Sequence, residues 1–339
     1  MRALAVLTVK NEGAFLLDWL AHHQAVGFTD FLVLSNDCDD GTDTLLDRLQ
    51  TLGHLTHLPN PAPHQGGVQF AALKRADAHP LVKQADWIMT LDIDEFVNIH
   101  VGDHTLPDLI GALPRADAIP LTWRWFGNAG VVAYQDLPIP DQFTRAAPAV
   151  LHWPWRAAMF KTLYRNNGIY RKLGVHRPRS PDPDRVDGAV WIDGAGRNLP
   201  SVFRRQQLFS PFGRDNYRLA QLNHYPLGAM ESYVVKCDRG RAVHEADSLG
   251  MDYWVERNLN TDTDRSIDSL RVQRQSRRQA LSDDEIVNTL HKAAVQWRHD
   301  RFRTLMKSEP NRALFGRLLM TPPTKPLDAA TAARILRLR

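Results

Sequence analysis

The amino-acid sequence predicts an α/β protein in which a mostly parallel, mixed sheet is flanked by helices. Two observations lead to this fold class. In the first half of the 339-residue chain, short apolar segments alternate with longer amphipathic ones, which is typical of βαβ units with parallel strands. From about residue 230 onward the apolar residues recur at helical spacing, which predicts a helical C-terminal extension.

Each element of the first half follows from its local composition. The predicted strands are short runs rich in Val, Leu and Ile, which suit a sheet buried on both faces. The predicted helices end before Gly27, Gly53 or Pro80, residue types that commonly terminate helices. In chain order the elements are strand Ala3–Val9, helix Glu12–Val26, strand Phe31–Leu34, helix Thr42–Leu52, strand Leu55–Leu58, helix Gln69–His79 and strand Trp87–Leu91.

The second half is less regular up to about residue 200 and mostly helical after residue 230. Loops rich in Pro and Gly separate its predicted strands, because these residues interrupt regular structure. The predicted elements are strands Ile119–Trp125, Lys161–Tyr164 and Ala189–Ile192, helices Asp284–Met306 and Asn311–Leu319, and a short basic amphipathic helix in the tail 328–339.

The composition excludes several classes of protein. With 43% hydrophobic and 24% charged residues, the chain is an ordinary globular protein. Cys38 and Cys237 are too few for a disulfide framework, which favours a reducing compartment. The first apolar stretch is short and ends at Lys10, as expected for a first strand and not for a signal peptide. We therefore expect a cytoplasmic protein.

The charge is distributed unevenly along the chain. The net charge is −9 over residues 1–150 and +13 over residues 151–339. An acidic first half suits a bound cation, and a basic second half suits phosphate or an anionic membrane at the inner face of the cell. The basic residues lack the interleaved aromatic residues of RNA-binding proteins, so we expect no nucleic-acid partner.

Three polar clusters follow three of the predicted strands. They are Thr8–Glu12, Ser35–Asp43 and Asp92–Glu95, and ligands of parallel sheets bind at the carboxyl ends of the strands. In the sequence LDIDEF, Asp92 and Asp94 supply the carboxylate oxygens that Mg²⁺ or Mn²⁺ prefers, with substrate phosphates completing the coordination. The clusters therefore predict a cation and nucleotide site at one edge of the sheet.

The turn after the second strand contains more acids than helix capping requires. Four aspartates lie between Asn36 and Asp43, and such residues hydrogen-bond nucleobase or ribose hydroxyl groups in other α/β proteins. The glycine-rich dinucleotide fingerprint and the P-loop are both absent from the sequence, so a different type of nucleotide site is expected.

Several blocks together resemble a family-2-like or family-92-like glycosyltransferase of the GT-A fold, the nucleotide-diphospho-sugar transferase fold. The blocks are TVKNEGAFLLDWLAHHQAVGFTDFLVLSNDCDDGTD, DWIMTLDIDEFVNIH, LTWRWFGNAG, GVHRP and LNHYPLGAMESYVVKCDRGRAV, within residues 1–260. The resemblance implies transfer of a sugar from a nucleotide-diphosphate donor, most commonly a UDP- or GDP-sugar, with Mn²⁺ or Mg²⁺. It implies a glycan or lipid-linked acceptor.

The resemblance also assigns roles to individual residues. The residues expected at the donor nucleotide are Thr8, Lys10, Asn11, Glu12, Asn36, Asp37, Asp40 and Asp92. Asp92, Asp94 and a late histidine, His224, are expected at the metal. Lys161, Lys236, Arg239 and Arg241 are candidates to neutralise the diphosphate, and Trp125, Phe126 and Asn128 are candidates to contact the acceptor.

The general base and the domain organisation rest on weaker patterns. His176 and Asp136 are the chosen catalytic candidates, beside Asp141 and Glu95. The late Glu-Asp pair and the Gln-x-x-Arg-Trp block of family 2 are not recognisable, so the stereochemical outcome stays open. The expected domains are a GT-A-like domain over 1–260, with a nucleotide and metal half (1–115) and an acceptor half (116–260), and a basic helical extension over 261–339.

Two alternatives compete with a metal-dependent glycosyltransferase. One is a non-catalytic glycan- or membrane-binding protein that keeps the same fold, and the intact Asp92 and Asp94 argue against it. The other is a magnesium-dependent phosphatase of the haloacid-dehalogenase type, in which the Asp-x-Asp pair ends the first strand. Here the pair follows about three strands and precedes Glu95-Phe96, which argues against this second alternative.

Overall fold

A computed structural model describes residues 1–64, 66–239 and 249–337. Within these residues the chain forms one eight-stranded mixed sheet and two small antiparallel ribbons. The strands are β1 (Ala3–Val9), β2 (Asp30–Ser35), β3 (Thr56–His57), β4 (Trp87–Leu91), β5 (Glu95–Ile99), β6 (Ala118–Trp125), β7 (Arg145–Ala146), β8 (Phe160–Arg165), β9 (Tyr170–Lys172), β10 (Arg179–Pro181), β11 (Ala220–His224) and β12 (Asp262–Thr263).

Helices cover both faces of the large sheet. The first six are α1 (Gly13–Val26), α2 (Thr42–Thr51), α3 (Val68–Ala76), α4 (Pro80–Gln84), α5 (Leu106–Ala112) and α6 (Ile139–Gln142). The remaining six are α7 (Met230–Arg239), α8 (Met251–Arg257), α9 (Arg271–Ser282), α10 (Glu285–Leu305), α11 (Glu309–Met320) and α12 (Ala329–Arg337).

The strand order of the large sheet is β3-β2-β1-β4-β8-β6-β11-β5. β1 lies parallel to β2 and β4, β2 to β3, and β6 to β11, whereas β8 and β5 run antiparallel to their neighbours. The carboxyl ends of β1, β2 and β4 therefore meet at one edge, as the sequence predicts. Only Asp92–Asp94 connects β4 to β5, so the sheet curls to bring its last strand back beside that edge.

The central strand β1 is buried on both faces. Ala3, Ala5 and Leu7 belong to the core beneath helix α1, whereas Leu4 and Val6 belong to a second core on the opposite face. This alternation follows from the two-residue period of a strand. It explains why the segment is an unbroken apolar run in the sequence.

Most predicted elements are confirmed, with ends shifted by one to three residues, including the tail helix α12. The predicted strand Ala189–Ile192 is wrong. This segment makes only single bridges, from Trp191 to Ala118 and from Ile192 to Asn198. The chain reverses immediately afterwards, where the Asp193 carboxylate accepts a hydrogen bond from the Ala195 amide. The sequence analysis also missed β5 and β11.

The C-terminal helices pack against the first helix of the chain. α9 and α10 both contact α1, and Leu281 and Val287 belong to the same core as the residues of α1. The C-terminal helices therefore complete the covering of one sheet face. In the described parts of the chain, none of the helices combines the length and the apolar composition needed to span a bilayer.

Asp284 links the C-terminal helices to α2 and makes their stability sensitive to pH. Its carboxylate accepts hydrogen bonds from Arg48 Nε at 3.1 Å and from the Val287 amide at 2.9 Å. The hydrogen bonds from Arg48 and the α10 backbone lower the pKa of Asp284 to about 2. Because the folded-state pKa lies below the usual value, this carboxylate stabilises the fold above about pH 4 and loses that effect as the pH falls toward 2.

We expect Asp284→Ala to lower the melting temperature at pH 7. The difference from the wild type should shrink between pH 4 and pH 2, as Asp284 of the wild type binds a proton. Asp283→Ala is the matched control, because the neighbouring Asp283 carboxylate only accepts a hydrogen bond from the exposed Gln279 side chain. A difference that stays constant down to pH 2 would contradict this interpretation.

Candidate active site

A cleft of about 450 Å³ opens at the edge where β1, β2 and β4 end. One wall comes from the ends of these strands, and the others come from β11, α7 and the segment around Val175. The structure brings together here most of the residues expected from the sequence: Thr8, Lys10, Glu12, Asn36, Asp92, Asp94, His176, His224, Lys236 and Arg239.

Asp94 lies among positively charged and imidazole groups from distant parts of the chain. Lys236 Nζ donates a hydrogen bond to its Oδ2 at 2.8 Å, and His224 Nε2 lies 3.8 Å from its Oδ1. Burial raises the pKa of the Asp94 carboxyl, but the charges of Lys236 and Arg239 outweigh burial and hold the pKa well below its usual range. Asp94 is therefore a carboxylate at neutral pH.

Asp92 is oriented by three neighbours. Its Oδ2 accepts a hydrogen bond from Lys161 Nζ at 2.8 Å, and its Oδ1 accepts one from Gln69 Nε2 at 3.1 Å. Its backbone N–H donates to Glu95 Oε2 at 2.9 Å. The Trp19 indole N–H donates to the carbonyls of Asp92 and Glu95 at 3.1 Å each, so the whole turn is fixed to helix α1.

Glu95 is completely buried behind this turn. Its Oε1 accepts a hydrogen bond from the Trp123 indole N–H at 2.6 Å, and Lys161 Nζ lies 3.4 Å from its Oε2. Burial raises the pKa of Glu95 to about 8, although the charge of Lys161 acts in the opposite direction. Glu95 thus contacts Asp92, Lys161 and Trp123. It stabilises the turn and does not line the cleft.

His224 is the last residue of β11 and has the properties of a neutral ligand. Burial lowers its pKa to about 3, so the imidazole carries no charge at neutral pH. Its ring packs against that of Trp123, with centroids 4.4 Å apart. Among the described residues its buried Nδ1 has no hydrogen-bond partner. A neutral imidazole next to a carboxylate is a suitable pair of ligands for a divalent cation.

The side chains around Asp94 provide some of the ligands that a divalent cation requires. Asp94 and His224 face each other at 3.8 Å, and Asp92 lies on the same turn. However, the described residues contain no group of three or more His, Cys, Asp or Glu side chains placed to hold a metal ion. A lysine ammonium group lies against each of the two aspartates, at 2.8 Å in both pairs.

Arg239 joins helix α7 to the loop after β1. Its Nη1 contacts the Glu12 carboxylate and donates to the Lys10 carbonyl at 2.8 Å. Lys236 and Arg239 lie three positions apart on α7 and therefore point to the same side. One short helix thus brings two positive charges to the cleft.

The residues of the acidic turn after β2 have different roles. Asp40 accepts hydrogen bonds from the Gly13 and Thr42 amides at 3.0 and 2.9 Å, so it caps the first turns of both α1 and α2. Asp37 is more exposed and lies 3.1 Å from His64 Nε2. Asn11 Oδ1 accepts a hydrogen bond from the Asp39 amide at 2.7 Å. Asp37, Asp40 and Asn11 are not part of the lining of the cleft.

Several expected residues lie away from the cleft. Trp125, Phe126 and Asn128 are each only 1% exposed, and the amide of Asn128 donates to the Val131 and Gly228 carbonyls. Asp136 pairs with His291 at 3.0 Å and with Arg278 at 3.2 Å. Asp141 pairs with Arg271 and Arg274. Arg241 lies outside the described residues.

His176 does line the cleft. Its Nδ1 lies 3.0 Å from the Phe160 carbonyl, so Nδ1 carries the ring proton and Nε2 is left as the acceptor. Burial and, to a smaller extent, the charge of Lys161 lower its pKa to about 4. The imidazole is therefore neutral at pH 7.

The sequence analysis missed three residues at the cleft. Gln69 orients Asp92, and Trp123 and Tyr253 form aromatic parts of the wall. Trp123 lies in the same strand as Trp125, and only the curvature of the sheet decides which of them reaches the cleft. Tyr253 lies on α8, for which the sequence offered no distinct signal.

The model of the family described as glycosyltransferase family 92 matches residues 7–182. A family 92 glycosyltransferase protein of rice (Oryza sativa subsp. japonica) is 24% identical to the chain over 128 residues. That alignment covers 36% of this chain and 21% of the rice protein, so the chain spans about a fifth of the length of the curated relative it matches.

Two solved structures are similar to parts of the chain. One is a fragment of S. aureus TarS in complex with UDP-GlcNAc, with 17% identity, a TM-score of 0.31 and coverage of 49% of this chain and 46% of that chain. The other is glucosyl-3-phosphoglycerate synthase from Mycobacterium tuberculosis in complex with Mg²⁺ and UDP. It has 17% identity, a TM-score of 0.25 and coverage of 36% of this chain and 43% of that chain.

Proposed function

This chain belongs to glycosyltransferase family 92, and we propose that it transfers a sugar from a nucleotide-diphosphate donor to a glycan or lipid-linked acceptor with the help of Mn²⁺ or Mg²⁺. The observation that carries the proposal is the arrangement around Asp94. A carboxylate, a neutral imidazole and two cationic side chains converge at the carboxyl edge of the sheet. This combination suits a nucleotide diphosphate with its cation.

The nucleotide would occupy the part of the cleft between β1 and β2. Thr8, Glu12 and Asn36 line this part and offer hydroxyl, carboxylate and amide groups to ribose and base. Asn36 is held in place, because its Nδ2 donates to the Val9 carbonyl and its Oδ1 accepts from Asn60. A fixed amide selects a base better than a free one, since less freedom is lost on binding.

The diphosphate would lie near Asp94, where Lys236 and Arg239 border the cleft. Asp94 and His224 would hold the cation, with Asp92 beside them. A divalent cation bound there would stabilise the negative charge that develops on the departing nucleoside diphosphate. Arg239 would add a fixed positive charge, which its contact with Glu12 keeps aimed at the cleft.

The acceptor would enter along the wall formed by Trp123, His176 and Tyr253. Aromatic rings of this kind pack against the apolar faces of sugars and orient them through their polar edges. We assign the acceptance of the acceptor hydroxyl proton to His176 Nε2, because the Phe160 carbonyl keeps the ring proton on Nδ1. We place the reaction in the cytoplasm, with the basic second half of the chain meeting an anionic membrane surface.

The test is a thermal-shift screen of UDP-, GDP-, CDP- and dTDP-sugars, with and without Mn²⁺, on the wild type and on Asp94→Ala. A ligand that binds only the folded state raises the melting temperature. We expect one nucleotide to raise it in the presence of Mn²⁺ and the rise to disappear in the variant. Transfer is then assayed with that donor.

Two other outcomes, each seen in a separate measurement, would contradict the proposal. A wild-type protein that none of the donors stabilises, and that binds glycans or liposomes tightly, would be a non-catalytic binding protein. A phosphoenzyme formed on Asp92 would instead indicate a phosphatase.

A further inference from the structure

The two aspartates of the turn are each held by a lysine, and the two lysines differ in how firmly they are fixed. Lys161 projects from the centre of the sheet, has no exposed side-chain surface, and lies between Asp92 at 2.8 Å and Glu95 at 3.4 Å. Lys236 projects from helix α7, and 18% of its side-chain surface is exposed. Lys161 is enclosed between two acids, whereas Lys236 borders the cleft.

Lys236 is hydrogen-bonded to one of the two carboxylate oxygens of Asp94. Its Nζ donates to Asp94 Oδ2 at 2.8 Å and to the Pro226 carbonyl at 2.7 Å. Asp94 Oδ1 faces His224 Nε2 at 3.8 Å. A divalent cation held by Asp94 and His224 would lie close to the Lys236 ammonium group, and at about 4 Å even single charges repel by several kcal/mol near a protein surface. Lys236 and the cation therefore compete for Asp94.

A second acceptor for Lys236 comes with the substrate. A diphosphate brings several anionic oxygens into the cleft that Lys236 and Arg239 line. The flexible four-carbon stem of lysine lets the ammonium group change partners, and the Pro226 carbonyl remains in reach as a fixed second acceptor. Lys161 lacks this freedom, because its side chain is fully buried between two carboxylates.

We propose that Lys236 is an exchangeable counter-ion of Asp94. In the donor-free protein Lys236 holds the carboxylate, and it moves its hydrogen bond to the donor's diphosphate when Asp94 takes a divalent cation. Lys161 stays with Asp92 throughout, so Asp94 is the aspartate that changes partner. This inference rests on the proposed function, since it names how the same cleft passes from its donor-free to its donor-bound state.

The experiment compares Lys236→Met with the wild type by two binding measurements. Titration with Mn²⁺ alone, followed by the electron paramagnetic resonance of the free ion, should show at least about tenfold tighter binding to Lys236→Met, because Asp94 no longer has a competing partner. Calorimetric titration with UDP at saturating Mn²⁺ should show about tenfold weaker binding to the same variant. The opposite signs of the two changes identify an exchangeable residue.

Two variants control for charge and for folding. Lys10→Met removes the same charge from the same cleft without removing the group bonded to Asp94, and it should change the Mn²⁺ affinity by less than about twofold. Lys236→Arg keeps a cationic donor and should restore much of the UDP affinity. The melting temperature of each variant shows that it is folded.

Each result bears on the inference separately from the proposed function. Unchanged or weaker Mn²⁺ binding by Lys236→Met would overturn it, and a purely structural Lys236 would weaken both affinities. A Lys236→Met protein that binds no Mn²⁺ would also overturn it. The proposed function fails if the wild type neither binds nor transfers from any of the donors in the screen, whatever the Mn²⁺ affinity of Lys236→Met.

Discussion

Asp94→Asn should reduce kcat/KM for sugar transfer by a hundredfold to a thousandfold or more, the loss expected when a preorganised charge at the reacting centre is removed. Asparagine has nearly the same shape as aspartate, so the turn should keep its structure. It carries no negative charge, so a cation between residue 94 and His224 loses its principal attraction. Steady-state kinetics with the donor found in the screen measure the effect.

The concentration of Mn²⁺ needed for half-maximal activity should rise in the same variant. Asp184→Asn is the matched control, because Asp184 is an exposed aspartate in a loop that does not line the cleft, and its kinetics should equal those of the wild type. An Asp94→Asn protein within about tenfold of wild-type activity would show that the carboxylate does not serve the reaction.

Lys161→Met should lower the free energy of unfolding by about 3–5 kcal/mol, the usual cost of removing one partner from a buried ion pair. The ammonium group is the cation between Asp92 and Glu95, and its side chain has no exposed surface. Without it, Asp92 and the buried Glu95 lose the cation that lies against both of them. Urea unfolding at pH 7 measures the loss.

The loss in free energy of unfolding caused by Lys161→Met should become smaller as the pH falls. Without Lys161 the pKa of the buried Glu95 rises further, because the ammonium group no longer opposes the effect of burial, so the folded protein binds more protons than the unfolded one and gains stability toward acid. Adding Glu95→Gln should recover part of the loss, because glutamine is neutral and stays buried without having to take up a proton. Lys74→Met, at an exposed position of α3, should stay within about 0.5 kcal/mol of the wild type. A loss of only about 0.5 kcal/mol for Lys161→Met would contradict the role of Lys161 as the cation between Asp92 and Glu95.

The parts of the fold predicted correctly are those that local sequence determines. The strands β1, β2 and β4 are apolar runs because they are buried on both faces. β5 and β11 were missed because polar residues interrupt their apolar pattern. Asn98 and Asn223 are buried, and each meets a polar partner across the sheet, including a 3.3 Å hydrogen bond between them. A partner 125 residues away leaves no local signal.

The candidate site shows the same limit. Asp92, Asp94 and His224 were expected from their motifs, and the structure brings Asp94 and His224 together. The motifs did not show that Lys161 and Lys236 pair with the aspartates, because those contacts depend on the curl of the sheet and on the position of α7. Asp40 caps two helices in the structure, and its expected place at the nucleotide stays a prediction.

The wide separation along the chain of the residues that meet at Asp94 has a consequence for the order of folding. Asp94 and Lys236 are 142 residues apart, and β5 pairs with the distant strand β11. Because contacts of such long range form late, and because synthesis runs from the N-terminus, the strands β1 to β4 emerge from the ribosome well before the groups that neutralise their acidic edge. The surroundings of Asp92 and Asp94 are therefore complete only after β8, β11 and α7 have been synthesised.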